Sequence, residues 1–399
     1  MKKHYFLLDA VEMQPHAGLM VQKEAPPRKK TVCVDNMLSH FEEFSYNNFY
    51  NTKNFHILEK DSYKFILNFI HMPNKTDFVI SQKSVDMLNS DPNAFLVLMS
   101  CLEHVITPEE LVQSLKKLNI QPSKTIVLCS NIDAHGQILN GVKYICVNFW
   151  ESYSRFHHKT LLDIPVANAS EKFQSIATAS KKYICLNRNV KPHRIWLYYA
   201  IIKSNMIDQG HVSYHLPKEY PSDYKLLSDS YHVTKRIPAE LHNDFKIVKA
   251  RKMYPRMLDH IDKQFIINYR NDIQKYYDDS LLNIITESDC VHNFITEKTY
   301  KAFANLQPYF IVGNPDMHRL LNARGYHTFE NLFGVESVTD YNSGIAMLEN
   351  IKAQNIHRLK KTIRKEYFDK LIHNQQHFFN RQVKWSTIVK EIFHAVETK

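Results

Sequence analysis

The segment FITEKTYK, residues 294–301, brings together side chains that could hold an anion at the start of a helix. Thr296 is a favourable N-cap residue. The pattern then predicts that Glu297, Lys298 and Lys301 stand in the first turns of a helix. The partial positive charge of a helix N-terminus disfavours lysine there unless an anion is bound. The spacing indicates a diphosphate site in which Glu297 accepts hydrogen bonds from ribose hydroxyls; a capping motif with solvated lysines is the alternative.

A second basic segment, LNRNVKPHR at 186–194, follows a predicted strand, KKYICLN. Arg188 and Arg194 could each bind phosphate oxygens through the planar fork of a guanidinium group, and Lys191 adds a third cation. The segment therefore indicates a second source of phosphate ligands, with a solvated basic loop as the alternative.

The predicted elements place both segments at strand ends in an α/β protein. Apolar runs that favour buried strands are AFLVLMS, TIVLCSN, KYICVNF, KKYICLN, LLNIITES and PYFIVG. Helical patterns such as TPEELVQSLKKL and PHRIWLYYAIIKSNM lie between them. This alternation is typical of doubly wound parallel sheets. We therefore expect two Rossmann-like domains that face each other across a cleft, with ligands at the carboxyl ends of the strands.

The composition excludes several classes of protein. The chain has 399 residues, of which 44% are hydrophobic, enough for two globular domains. It contains 8 glycines and neither a GxGxxG nor a GxxxxGK[ST] motif, which disfavours dinucleotide and P-loop enzymes. No apolar run is long enough to span a membrane. The 6 cysteines form no CxxC pair and no HExxH occurs, so we expect reduced thiols in a cytoplasm and no metal site.

The formal net charge is +10, and the excess is concentrated near the C-terminus. Residues 351–399 contain 11 Lys or Arg against 4 Asp or Glu. Such an excess favours a polyanionic partner such as nucleic acid, or an anionic substrate; a solvated helical surface is the alternative.

Three segments in order resemble known transferases. FITEKTYKAFANLQPYFIVGNP resembles the donor-site segment of α1,3-fucosyltransferases, in which a TEK motif opens the helix that holds the nucleotide sugar. LNRNVKPHR, ITEKTYK and GYHTF are together similar to bacteriophage and large-virus glycosyltransferase-like proteins. The resemblance covers about residues 183–329 and offers little to match in the first 150 residues.

The resemblance implies a fold of GT-B type and a nucleotide-diphosphate sugar as the donor, with no further cofactor. It implies that Arg188 and Lys298 contact the diphosphate and that Glu297 contacts the ribose. Lys191, Arg194 and Lys301 are assigned to the same phosphate site, and Glu287 and Thr296 to the ribose and nucleotide. The expected division is 1–165 for an acceptor-side domain, 166–345 for a donor-binding domain and 346–399 for helices that brace the two.

A transferase also needs a base that accepts the proton of the acceptor hydroxyl. Asp9, Glu103 and Asp133 each follow a predicted strand of the N-terminal half, and His135 lies beside Asp133 in the loop NIDAHG. The sequence favours Asp133, because the neighbouring histidine and Gly136 indicate a shaped loop. Each of these residues could instead be an ordinary loop or cap residue.

The acceptor has several possible identities. The basic charge and the phage-like resemblance suggest a hydroxymethylated base of double-stranded DNA, which would place the protein in a host cytoplasm. A glycan or lipopolysaccharide acceptor, as in fucosyltransferases, is the alternative within enzymes. A non-catalytic nucleic-acid-binding protein on a transferase fold is the alternative from another class, and salt-dependent DNA binding without donor hydrolysis would favour it.

Overall fold

A computed structural model gives the fold of the described part of the chain. It describes residues 5–6, 32–33, 57–60, 63–69, 80, 82–100, 108–147, 150–151, 154, 166–187, 191–214, 271–288, 290, 292–381, 391–392 and 394–397. The chain divides into two compact units. The first comprises Met1–Phe156 with Gln382–Lys399, and the second comprises His157–Arg381.

The first unit is built on a mixed sheet of eight strands. The strands are β1 (Tyr5–Phe6), β2 (Val32–Cys33), β3 (Ile57–Lys60), β4 (Tyr63–Phe69), β5 (Ala94–Ser100), β6 (Thr125–Cys129), β7 (Ile138–Leu139) and β8 (Val142–Cys146). Their order is β2-β1-β3-β4-β5-β6-β8-β7. The four strands β4, β5, β6 and β8 are parallel, and antiparallel strands flank them on both sides.

Two helices accompany this sheet, α1 (Gln82–Ser90) and α2 (Pro108–Lys117). Pro108 at the first position and two glutamates in the first turn suit the start of α2, since these positions need no backbone donor and favour negative charge. Leu88 of α1 and Leu111 and Leu115 of α2 are fully buried in one core cluster with the strand residues. Burial of this apolar face holds the helices on the sheet.

The second unit contains a fully parallel sheet of four strands. The strands are β9 (Lys181–Asn187), β10 (Gly210–Tyr214), β11 (Ser280–Thr286) and β12 (Tyr309–Val312), in the order β10-β9-β11-β12. Every residue of β12 is buried, as its continuous apolar sequence YFIV predicts, and every residue of β11 is buried although SLLNIIT includes three polar residues. The strand order reverses direction between β9 and β11, which makes the ends of these two strands a topological switch point.

Nine helices are described in the second unit. They are α3 (Ala169–Thr178), α4 (Pro192–Lys203), α5 (Asn271–Asp278), α6 (Glu297–Ala304), α7 (Met317–Ala323), α8 (Glu330–Phe333), α9 (Tyr341–Ala353), α10 (Ile356–Thr362) and α11 (Phe368–Asn380). A π-helical segment, Ile363–Tyr367, joins α10 to α11.

Helices α9 and α11 pack on the elements that carry the second unit's strand ends. Gly344 of α9 permits a close approach to α4, because a Cβ atom there would lie 2.8 Å from the Trp196 ring. The Phe378 ring of α11 stacks on the Tyr300 ring of α6 at 5.3 Å between centroids. Gln375 of α11 donates to the carbonyl of Ala304 at the end of α6. The C-terminal helices thus brace α6 within the second unit.

The α/β class with parallel sheets is confirmed. The predicted strands at 94–100, 125–131, 181–187, 281–288 and 308–313 are present, and so are the helices that follow Thr107, Lys191 and Thr296. β3, β4, β10, α3 and α5 were not predicted from the sequence. The run FKIVK at 245–249, which the sequence also indicates as a strand, lies outside the described residues. Residues 346–381, expected to form part of a separate C-terminal segment, group with the second unit.

None of the helices in the described ranges is long and apolar enough to cross a membrane.

Candidate functional site

The strand ends at the switch point are joined by polar side chains. Asn187 ends β9 and Thr286 ends β11, and the Thr286 hydroxyl donates to the Asn187 side-chain oxygen. Both side chains are buried. This hydrogen bond fixes the ends of β9 and β11 relative to each other. Ligands of such sheets bind at the carboxyl ends of adjacent parallel strands.

Glu287 is the first residue after β11 and is fully buried. Its carboxylate accepts hydrogen bonds from the Thr296 backbone N–H at 3.1 Å, from the Thr296 hydroxyl, and from the Thr299 hydroxyl at 2.6 Å. These bonds fasten the start of α6 to the end of β11. The sequence analysis assigned Glu287 to the ribose or nucleotide, whereas its contacts favour a positioning role.

Lys298 lies at the centre of the polar cluster. Its ammonium group donates at 3.1 Å to each of three oxygens, on Ser288, Thr296 and Glu297. The side chain is 23% exposed and that of Glu297 is 14% exposed, so both are largely withdrawn from water. An ammonium group in such surroundings attracts anions more strongly than one on the open surface.

The Glu297 carboxyl is held in its charged form. Burial alone would raise its pKa, but the charges of Lys298 and Lys301 outweigh that effect. The hydrogen bonds from Lys298 and from the backbone N–H of Glu297 lower the pKa further, and it falls to about 2. Glu297 is therefore an anion throughout the physiological pH range.

Lys191 brings the second basic segment to the same place. It is the N-cap residue of α4, and its ammonium group donates to the Ser288 carbonyl at 2.6 Å, across 97 positions of sequence. Lys298 binds the hydroxyl of the same serine. Two ammonium groups from distant segments thus converge on Ser288. Arg188, which was also assigned to the phosphate site, lies outside the described residues.

Two further residues of α4 hold the loop after β11. The His193 ring nitrogen Nε2 donates to the Glu287 carbonyl at 2.7 Å. The Arg194 guanidinium donates to the carbonyls of Thr286 and Glu287, each at 3.2 Å, and the side chain is 2% exposed. The sequence analysis predicted that Arg194 contacts phosphate, but burial and these backbone contacts favour a positioning role.

The first turn of α6 is capped by the protein itself. Thr296 is its N-cap, as predicted, and the Thr296 hydroxyl accepts from the Lys298 backbone N–H at 3.5 Å. The backbone N–H of Thr296 donates to the Glu287 carboxylate. The backbone N–H of Glu297 donates to the carboxylate of the same residue. These three N–H groups therefore have partners, although the first N–H groups of a helix have none within the helix itself. Side-chain ammonium groups, rather than backbone donors, are the anion ligands that the site presents.

Gly313, the residue after β12, allows the loop that follows β11 to pack closely against it. Its φ of +136° is in the region that favours glycine, and a Cβ atom there would lie 2.8 Å from the Cβ atom of Cys290. A side chain at this position would push the loop away, so Gly313 is required for the loop to lie against the end of β12.

The first unit carries the candidate bases that the structure describes, while Glu103 and Asp9 lie outside the described residues. Asp133 is exposed in the loop after β6, and its backbone N–H donates to the Asn131 side chain. His135 is also exposed, and its Nδ1 accepts from the Cys146 N–H at 3.1 Å. That bond places the proton of the neutral ring on Nε2, which suits a hydrogen-bond donor. Asp133 is therefore the better-suited base of the two.

Sequence reasoning missed four residues of the second unit's site, namely Asn187, Ser288, His193 and Thr299. Ser288 and Asn187 each stand at or just past a strand end, which is a signal that could have been used. Thr299 lies three positions after the N-cap Thr296, so the two share a face of α6. His193 offered no such signal, because its partner is a backbone carbonyl.

No group of three or more His, Cys, Asp or Glu side chains that could hold a metal ion occurs in the part of the chain that the structure describes. No disulfide joins Cys129, Cys146, Cys185 and Cys290 to one another.

No protein-family model matches the chain, and no curated protein matches it.

Proposed function

We propose that this chain is a glycosyltransferase that moves a sugar from a nucleotide-diphosphate sugar to an acceptor hydroxyl, without a metal ion. One observation carries the proposal: Lys191 and Lys298, from segments far apart in sequence, meet at Ser288 on the switch point of a parallel sheet. Parallel α/β sheets bind nucleotides at this edge. The two side chains that meet there are positively charged, as binding of a diphosphate requires.

The proposed chemistry needs cations near the leaving group. The bond between the anomeric carbon and the diphosphate oxygen breaks, and its electron pair leaves with the diphosphate. Lys191, Lys298 and Lys301, with Arg188 from the same basic segment, stabilise the charge that develops there. The acceptor oxygen forms the new bond to the anomeric carbon. Its proton passes to a base of the N-terminal half, in a GT-B arrangement of two Rossmann-like domains across a cleft.

We expect Asp133→Asn to lower kcat for transfer by about 10²–10⁴-fold, because an amide cannot accept the hydroxyl proton. Donor affinity should be unchanged, since Asp133 belongs to the first unit and the phosphate ligands to the second. Steady-state kinetics with donor titration separates the two quantities. Asp86→Asn, another exposed acid of the first unit, is the matched control. Normal turnover of Asp133→Asn would exclude it as the base and direct attention to Glu103 and Asp9.

The acceptor that we propose is a hydroxymethylated base of double-stranded DNA. The net charge of +10 and the basic C-terminal fifty residues support it, because a duplex presents a dense array of phosphates. Binding to the duplex should then weaken steeply with salt. An uncharged glycan acceptor would show no such salt dependence.

The proposal is tested by screening nucleotide sugars for thermal stabilisation of the protein. A donor present at 100 times its Kd should stabilise the fold by about 2.7 kcal/mol. The best donor is then incubated with duplex DNA that contains hydroxymethylcytosine or hydroxymethyluracil, and in parallel with lipopolysaccharide. Mass spectrometry should show a hexose or pentose added to the DNA. Sugar addition to lipopolysaccharide alone would support the transferase activity and exclude DNA as the acceptor. If none of the nucleotide sugars stabilises the protein, the proposal is contradicted.

A further inference from the structure

The ammonium group of Lys298 already has an anionic partner. The Glu297 carboxylate lies 3.1 Å from it, and both side chains are mostly buried. The remaining contacts of this ammonium group in the cluster are hydroxyl oxygens of Ser288 and Thr296. Glu297 thus occupies the position next to Lys298 that an anionic ligand would take.

Any anion that binds Lys298 must therefore compete with this carboxylate. A ligand of one negative charge exchanges one unit charge for another and gains little Coulomb energy. A diphosphate brings at least two charges to the same cations, so its attraction to Lys298 and Lys191 exceeds that of the carboxylate. Replacement of the Glu297 carboxylate at Lys298 thus discriminates between ligands by their charge, independently of any other contact they make.

Releasing Lys298 leaves Glu297 with a second cation. Lys301 lies one turn further along α6, four positions from Glu297, and its charge already acts on the carboxylate. The displaced carboxylate can turn towards Lys301 and keep a favourable interaction. The cost of displacement is therefore lower than that of leaving a carboxylate with no cation nearby.

We propose that Glu297 is a resident counter-ion that sets the specificity of this site. Ligands bind there when they carry two or more adjacent negative charges, as a diphosphate does, and the Glu297 carboxylate leaves Lys298 on binding. This inference rests on the proposed function, since it concerns the same phosphate site. It adds a selection against singly charged anions, such as the monoanion of phosphate, that the presence of cations alone would not provide.

The test is calorimetric titration of the full chain with each anion at about pH 5.5, where inorganic phosphate carries one charge and inorganic diphosphate carries two. The wild-type protein should bind diphosphate at least 10-fold more tightly than phosphate. Glu297→Gln keeps the size of the side chain and removes its charge, so phosphate affinity should rise about 5-fold and the preference for diphosphate should narrow. Glu349→Gln is the matched control, because it removes one exposed negative charge of the same unit, paired with Lys352.

The outcomes distinguish this inference from the proposed function. Diphosphate binding with the same preference in wild type and Glu297→Gln would overturn the inference and leave the proposed function standing. An equal change in Glu349→Gln would also overturn it, since net charge would then explain the effect. No diphosphate binding by the folded wild-type protein and by folded Glu297→Gln would contradict both.

Discussion

Replacing Lys298 by methionine should lower kcat/KM for sugar transfer by about 10²–10³-fold while the protein remains folded. The ammonium group is the only one described that contacts Ser288, Thr296 and Glu297 together, and the proposed reaction needs it beside the departing diphosphate. Methionine has a similar length and removes the charge. The loss should appear in kcat as well as KM, because charge develops on the diphosphate as the glycosidic bond breaks.

The control for this variant is Lys203→Met, which removes an exposed lysine of the same unit at the end of α4 opposite Lys191. It should leave transfer unchanged. Circular dichroism and thermal unfolding establish that both variants are folded. Thr296 is fully buried and Ser288 is 5% exposed, so water reaches the oxygens that lose the ammonium group poorly, and we expect the free energy of unfolding to fall by about 1–3 kcal/mol. Wild-type turnover in Lys298→Met would remove Lys298 from the mechanism.

The sequence predicted the elements of the second unit where local signals and burial agree. β12 is a continuous apolar run and β11 is mostly apolar, which indicates strands buried on both faces. The N-cap Thr296 marked the start of α6 correctly. β10 was missed because GHVSY is short and half polar, and it takes its place in the sheet from pairing with β9. Tertiary pairing of this kind leaves no local pattern.

The site was predictable in its residue types and only partly in its contacts. Lys191 and Lys298 were assigned to one site, and their meeting at Ser288 agrees with that. Arg194 was assigned there too, but it lies two positions into the first turn of α4 and points to backbone carbonyls. Whether a basic side chain at a helix start faces a ligand or the underlying loop depends on neighbours that are distant in sequence.

The two glutamates show the same difficulty. Glu287 directly follows β11 and Glu297 is the first residue of α6, and the sequence assigned both to the ribose side of the donor. In the structure Glu287 is fully buried and accepts from Thr296 and Thr299, while Glu297 is partly exposed and pairs with Lys298. One carboxylate therefore fixes the helix and the other occupies the cation site. Stability measurements can separate these roles.

We expect Glu287→Leu to lower the free energy of unfolding of the second unit by about 3–5 kcal/mol. Leucine fills a similar volume and offers no acceptor, so the Thr296 N–H and the hydroxyls of Thr296 and Thr299 would be left buried without their partner. Glu297→Leu should cost less than about 1 kcal/mol, because its partner Lys298 keeps other oxygens and some access to water. Urea denaturation of both variants measures the difference.

A double-mutant cycle tests whether the hydrogen bonds are the cause. Thr299→Val removes one donor at nearly constant shape and should cost about 1 kcal/mol by itself. In the Glu287→Leu background the same change should cost much less or become stabilising, because it removes a donor that no longer has an acceptor. Additive effects would show that Glu287 does not act through Thr299. If Glu287→Leu is as stable as the wild type but no longer binds the donor, the ribose contact predicted from the sequence is supported instead. A residue that holds the start of α6 in place could not be replaced in this way without a loss of stability.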